Sequence, residues 1–214
     1  MQKWIFALSL FALVGCTSLG QKNKEKAELY FRLGSSHIEA ENYPLALREL
    51  LKAEELDPAN AAIQNNLGLV YFYREHFVLS EKHFSEAIKL LPQYSEARNN
   101  LARLLIEKSD YAGAEKELSL VLEDLTYPQP EKAYINLGLA KFNQKNYSGA
   151  REAFSKALRS VPDDCIASTY FGRTYFETGD YAQATEALDR AIGFCQKLLY
   201  DEPHYYSALA YYRL

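Results

Sequence analysis

Tryptophan is almost missing from this chain: Trp4 is the single one in 214 residues, against 17 Tyr and 11 Phe. Histidine and cysteine are also sparse, with four His and three Cys. They form no His-x-x-x-His pair, Cys-x-x-Cys pair or carboxylate cluster, so the pattern lacks a metal-ligand set and the reading assigns no metal and no cofactor. No basic block exists, and the net charge is −4. A chain that holds phosphate backbones concentrates Lys and Arg on one face, so nucleic acid is excluded as a partner. No glycine-rich loop follows a strand-like run, which removes phosphate-cradle chemistry. A nucleophile with a positioned base cannot be picked out either, so the chain reads as no enzyme. Composition is otherwise globular, 48% hydrophobic and 24% charged.

The longest apolar run, Trp4 to Val14, has eleven residues. A membrane-spanning helix needs about 20, whereas the core of a secretory signal is of this length. Lys3 precedes the run, and Leu13-Val14-Gly15-Cys16 closes it. That ending resembles a bacterial lipobox, in which the Cys thiol receives a diacylglyceryl group before cleavage. The resemblance implies a signal peptide over 1–15, a mature chain starting at lipidated Cys16, and a lipid anchor in the membrane. Thr17 stands where Asp would signal inner-membrane retention. The expected location is therefore the outer membrane, facing the periplasm. Residues 16–26 are polar after Cys16 and read as a tether.

From Ala27 the chain repeats. Leu33-Gly34 recurs as Leu67-Gly68, Leu101-Ala102, Leu137-Gly138 and Phe171-Gly172, at steps of 34, 34, 36 and 34 residues. Tyr43, Phe77, Tyr111, Tyr147 and Tyr181 keep nearly the same spacing, and Pro58, Pro92 and Pro162 close their units. This pattern resembles the tetratricopeptide repeat. It implies an all-α, right-handed α-solenoid of five repeats (27–60, 61–94, 95–130, 131–164, 165–198) plus a linker and C-terminal helix over 199–214. Gly and Ala at fixed places let paired helices approach closely, with Asn42, Asp110, Asn146 and Asp180 capping the second helices. Many of the Tyr fall at repeat core positions, including Tyr30, Tyr71, Tyr134 and Tyr175, and are packing residues.

First helices of such repeats line a concave groove. Here they bring Asn65, Asn66, Leu69, Phe72, Tyr73, Asn99, Asn100, Arg103, Asn136, Leu139, Tyr170 and Arg173. Asn amides can pair with an extended peptide backbone while apolar neighbours hold side chains; equally, they can bond their own scaffold. The Lys and Asn that grip a chaperone tail are absent, since Phe31 and Ser35 stand in their places. Cys165 opens one helix of the fifth unit and Cys195 closes the other. Antiparallel helices set those ends side by side, leaving a disulfide and two buried thiols both open.

The third unit is lengthened and ends Leu125-Thr126-Tyr127-Pro128-Gln129-Pro130, followed by Ala133-Tyr134-Ile135-Asn136-Leu137-Gly138-Leu139. With the lipobox, this junction resembles the type IV pilus pilotin family (PilF/PilW/Tgl-like lipoproteins). The resemblance implies a non-catalytic, periplasm-facing adaptor that assists localisation or assembly of an outer-membrane secretin, its favoured protein partner. A repeat lipoprotein of outer-membrane β-barrel assembly and a scaffold for peptidoglycan enzymes are the alternatives. The final stretch from His204 to Leu214 is rich in Tyr and reads as a helix with no second helix behind it.

Overall fold

The computed structural model describes the backbone from residue 2 and side chains from residue 20. The expectations for the signal peptide over 1–15 and for Cys16 fall outside the described side chains. Among the described residues the structure is helical, without strands. The helices are α1 (Gln2–Glu39), α2 (Tyr43–Leu56), α3 (Ala61–Tyr73), α4 (Phe77–Leu90), α5 (Ser95–Glu107) and α6 (Tyr111–Glu123). They continue with α7 (Pro130–Asn143), α8 (Tyr147–Ser160), α9 (Cys165–Glu177), α10 (Tyr181–Cys195) and α11 (Glu202–Arg213), a short 3-10 turn at Gln196–Leu198 preceding the last. The chain forms two compact units, Met1–Ala97 and Arg98–Leu214.

In each unit the helices pair as antiparallel hairpins, and the sequence explains the pairing. A Cβ built on Gly68 of α3 would stand 2.6 Å from the Phe84 ring of α4, and one on Gly34 of α1 would stand 2.6 Å from Leu50 of α2. In the second unit, Gly172 of α9 faces Leu188 of α10 in the same way, at 2.7 Å. The missing side chain is the space into which the partner helix inserts its knob. Phe84, Phe154, Leu50 and Leu188 are all fully buried there. The second helices start at side-chain caps: Asn42 accepts from the Leu45 amide, Asp110 from Gly113, Asn146 from Gly149 and Asp180 from Gln183. Each satisfies an amide that the helix leaves unpaired.

The structure differs from the sequence reading at both ends of the array. Residues 20–26, read as a tether, belong to α1, which reaches Glu39 without interruption. Polarity favours solvent exposure, but Gln, Lys and Glu are strong helix formers, and neither Pro nor a cap residue breaks the run. At the other end the linker is shorter than expected, because α11 begins at Glu202 and takes Pro203 into its first turn. Proline is tolerated there, since the amide it lacks would have no helical partner. Pro130 opens α7 in the same manner.

Candidate functional site

The residues expected to line a groove divide between the two units, and each set has its own geometry. In the first unit, Asn66 on α3 donates from Nδ2 to the Ser35 hydroxyl on α1 at 2.9 Å, and Asn65 donates to the Asn66 side chain at 3.3 Å. Asn65 is completely buried, and Phe72 nearly so. Leu69 and Asn66 are half-buried. Tyr73 is 39% exposed and stacks on Tyr43, their rings 4.8 Å apart. Tyr73 is therefore the broad surface of this set, with Asn66 and Leu69 beside it in sequence on the same helix.

In the second unit, Asn136 of α7 donates from Nδ2 to Asn99 Oδ1 of α5 at 2.9 Å, and both are buried. Asn65, Asn99 and Asn136 thus join neighbouring scaffold groups rather than facing solvent. Buried amides must find partners; Asn99 and Asn136 supply each other's across adjacent first helices, and Asn65 reaches Asn66 on its own helix. Asn100 and Arg103 lie half-buried on α5. Leu139 and Tyr170 pack against the cluster around Phe142 and Phe154. The Tyr170 ring meets Phe142 edge-on at 5.2 Å, and burial pushes its hydroxyl pKa up, with nearby Glu202 adding to the effect.

Arg173 is held differently from the way the sequence suggested. Its guanidinium lies 4.6 Å from the Phe142 ring, 4.7 Å from Tyr170 and 4.3 Å from Tyr206, and it forms an ion pair with Glu202. Three rings and a carboxylate enclose the cation, a cage that combines cation–π attraction with a charge-assisted hydrogen bond. Glu202 and Tyr206 come from α11, so this helix covers the α9 surface that had been expected to be open. Reading Glu202 as linker concealed the pair.

Cys165 and Cys195 are joined in a disulfide, their Cα atoms 4.9 Å apart, linking the start of α9 to the end of α10. Among the described residues no group of three or more His, Cys, Asp or Glu gathers as a metal site. No described helix is long and apolar enough to cross a membrane. His83, without a role in the sequence, lies buried in the first unit. Its Nδ1 is 2.7 Å from Gln64 Oε1, and its ring stacks on Tyr71 at 5.2 Å. Gln64 donates from its nitrogen to Glu54 at 2.9 Å, which orients its oxygen toward the imidazole. Burial lowers the His83 pKa, against a smaller opposing pull from Glu54.

What the described surface offers is a face of first-helix side chains in each unit, of the kind that repeats use to hold protein. Comparison with known proteins agrees. The tetratricopeptide repeat model matches residues 67–126 and 135–197, and a second repeat model matches 34–73. The type IV pilus assembly protein PilF of Pseudomonas aeruginosa is 27% identical over 193 residues, which cover 86% of this chain and 76% of PilF. The solved structure of P. aeruginosa PilF superposes with a TM-score of 0.74 at 22% identity, covering 88% of this chain and 90% of that one. PilW, a widely conserved type IV pilus biogenesis factor, superposes with a TM-score of 0.77 at 19% identity, covering 87% and 90%. The chain belongs to the tetratricopeptide repeat family, in a form similar to PilF and PilW.

Proposed function

We propose that this protein is a non-catalytic adaptor lipoprotein of type IV pilus biogenesis, anchored in the outer membrane through Cys16 and facing the periplasm. Its role is to help localise or assemble the outer-membrane secretin. The observation that carries the reading is the similarity to PilF along 86% of the chain, a protein named for type IV pilus assembly. The lipobox ending at Cys16 supplies the anchor, and the repeats supply a surface of the kind that binds protein segments. Tyr73, Leu69 and Asn66 in the first unit, with Asn100 and Arg103 in the second, are the accessible or half-buried positions for such a segment.

Crosslinking of the mature protein in its own cells, with sequencing of the joined peptides, tests this. Secretin peptides attached to first-helix residues are the expected result. Adducts dominated by β-barrel assembly or peptidoglycan proteins, with no secretin, would overturn the secretin role and leave the repeat scaffold intact.

A further inference from the structure

A pocket of about 340 Å³ opens in the second unit between the hairpin of α7 and α8 and that of α9 and α10. Leu158 of α8 and Pro162 after it form one wall, and Phe171 of α9 and Phe194 of α10 the other. Ser168 and Ala187 lie buried beneath, while Arg190 stands at the rim with 62% of its side chain exposed. Both hairpins contribute walls, so the pocket lies within the array. Its lining shares no residue with the first-helix face described above.

The repeat register explains the space. Ser168 lies four residues before Gly172, and the same place holds Tyr30, Gln64, Arg98 and Tyr134 in the other hairpins. Ala187 lies six residues after Tyr181, where the others have Glu49, His83, Glu117 and Ala153. In each of those hairpins the large first-helix side chain reaches the second helix. Tyr30 lies under Lys52 at 5.1 Å, Gln64 bonds His83, Arg98 pairs with Glu117, and Tyr134 lies under Lys156 at 5.6 Å. In the fifth hairpin both residues are small. Lys52 and Lys156 stand nine residues past Tyr43 and Tyr147, and Arg190 stands nine past Tyr181. The fifth hairpin therefore keeps the cation and lacks the ring beneath it. Ser168 is only 6% exposed, and its hydroxyl has no hydrogen-bond partner among the described residues. A buried polar group in that position calls for one.

We infer that this pocket binds a tyrosine side chain presented by a separate protein. The incoming ring replaces the one that Tyr30 and Tyr134 supply in their own hairpins, packed among Leu158, Phe171 and Phe194 with the Arg190 cation over its face. A side chain entering from solvent leads with its hydroxyl, which meets the Ser168 hydroxyl and satisfies it. An aromatic anchor filling a pocket beside an arginine is the composition of a protein-binding hot spot. Glu186, 3.7 Å from Arg190 and equally exposed, competes only weakly for the cation. The helix that follows does not supply the ring. Tyr206 of α11 meets Phe176 edge-on as Tyr170 meets Phe142, so α11 takes the next first-helix place, on the far side of the fifth hairpin from α8. A net charge of −4 opposes a second copy of the chain as the donor. This site is independent of the secretin reading.

The probe is N-acetyl-L-tyrosinamide, titrated against the full-length protein and followed by backbone amide chemical shifts. Saturable shifts at Leu158, Ser168 and Arg190 are expected, with binding at least threefold tighter than for the phenylalanine or leucine amide. Ser168→Tyr restores the side chain of the other hairpins and is expected to abolish binding without lowering the urea midpoint. Arg190→Gln, at an exposed position, is expected to weaken binding at least threefold with unchanged circular dichroism. In cells, a photoreactive phenylalanine in place of Phe194 is expected to attach to a tyrosine-bearing segment of another protein. Absence of saturable shifts, equal binding of the phenylalanine or leucine amide, undiminished binding by the Arg190→Gln variant or by a folded Ser168→Tyr variant, or adducts confined to this chain and its copies would each overturn the proposal.

Discussion

A methyl group on Gly68 would press against the Phe84 ring, its nearest atom 2.6 Å away, and neither partner can retreat, since Phe84 is completely buried. Gly68→Ala therefore forces two packed helices apart. We expect a loss of about 1–3 kcal/mol, read as a lower urea midpoint, outweighing the small gain in helix propensity that alanine brings. An unchanged midpoint would show that the hairpin yields more easily than its packing indicates. His83 gives a second residue-scale prediction, with its sign fixed by burial. The folded protein holds the imidazole neutral against Tyr71 and Gln64, whereas the unfolded chain protonates it at the ordinary value of 6.5. The unfolded state then binds the extra proton, so stability falls as pH drops below about 6.5 toward the lowered folded value. Urea midpoints at pH 7.5 and pH 5.5 should diverge less in His83→Gln than in the parent, and equal divergence would remove His83 as the cause.

At the scale of elements, the disulfide ties α9 to α10 over a separation of 30 residues, next to the turn that leads into α11. Closing such a loop stabilises by roughly 3–4 kcal/mol in the chain-entropy model. Reduction, or paired replacement of Cys165 and Cys195 by Ser, should lower the urea midpoint and raise amide exchange first in α9–α11. Exchange unchanged in those helices would show that α11 holds α10 without the bridge. The hairpins themselves were legible because their cues are local: Gly at the crossing, Ala beside it, Asn or Asp at the cap. Arg173 was misplaced for the opposite reason. Its partners Glu202 and Tyr206 lie 29 and 33 residues away, and the 3-10 turn at Gln196–Leu198 shifts the repeat period from 34 to 36 so that the match with Tyr170 is easily missed. The buried Asn residues were correctly assigned to first helices, but their exposure depended on the neighbouring helix, which no motif encodes. Residues 20–26 show the same limit: their polarity was visible, yet the good helix formers among them carried α1 onward.

At the scale of the whole molecule, an array of this kind is stabilised hairpin by hairpin, each through its neighbours, so folding does not depend on where the chain is anchored. Binding and anchoring are then separable. Lipid on Cys16 would confine the repeats to the membrane surface and raise the effective concentration of any client segment there without adding a contact. Each acyl methylene buried in the bilayer contributes about 0.8 kcal/mol, so more than one chain makes the attachment durable. Cys16→Ala should accordingly keep the helical circular dichroism and urea midpoint of the parent and bind its client with the same affinity in detergent. In cells it should leave the membrane fraction, and secretin assembly and twitching should fall with it. Normal assembly by the unlipidated variant would show that the repeats reach their client without an anchor. Lost binding in detergent would place the defect in the surface itself, and the separation of the two roles would fail.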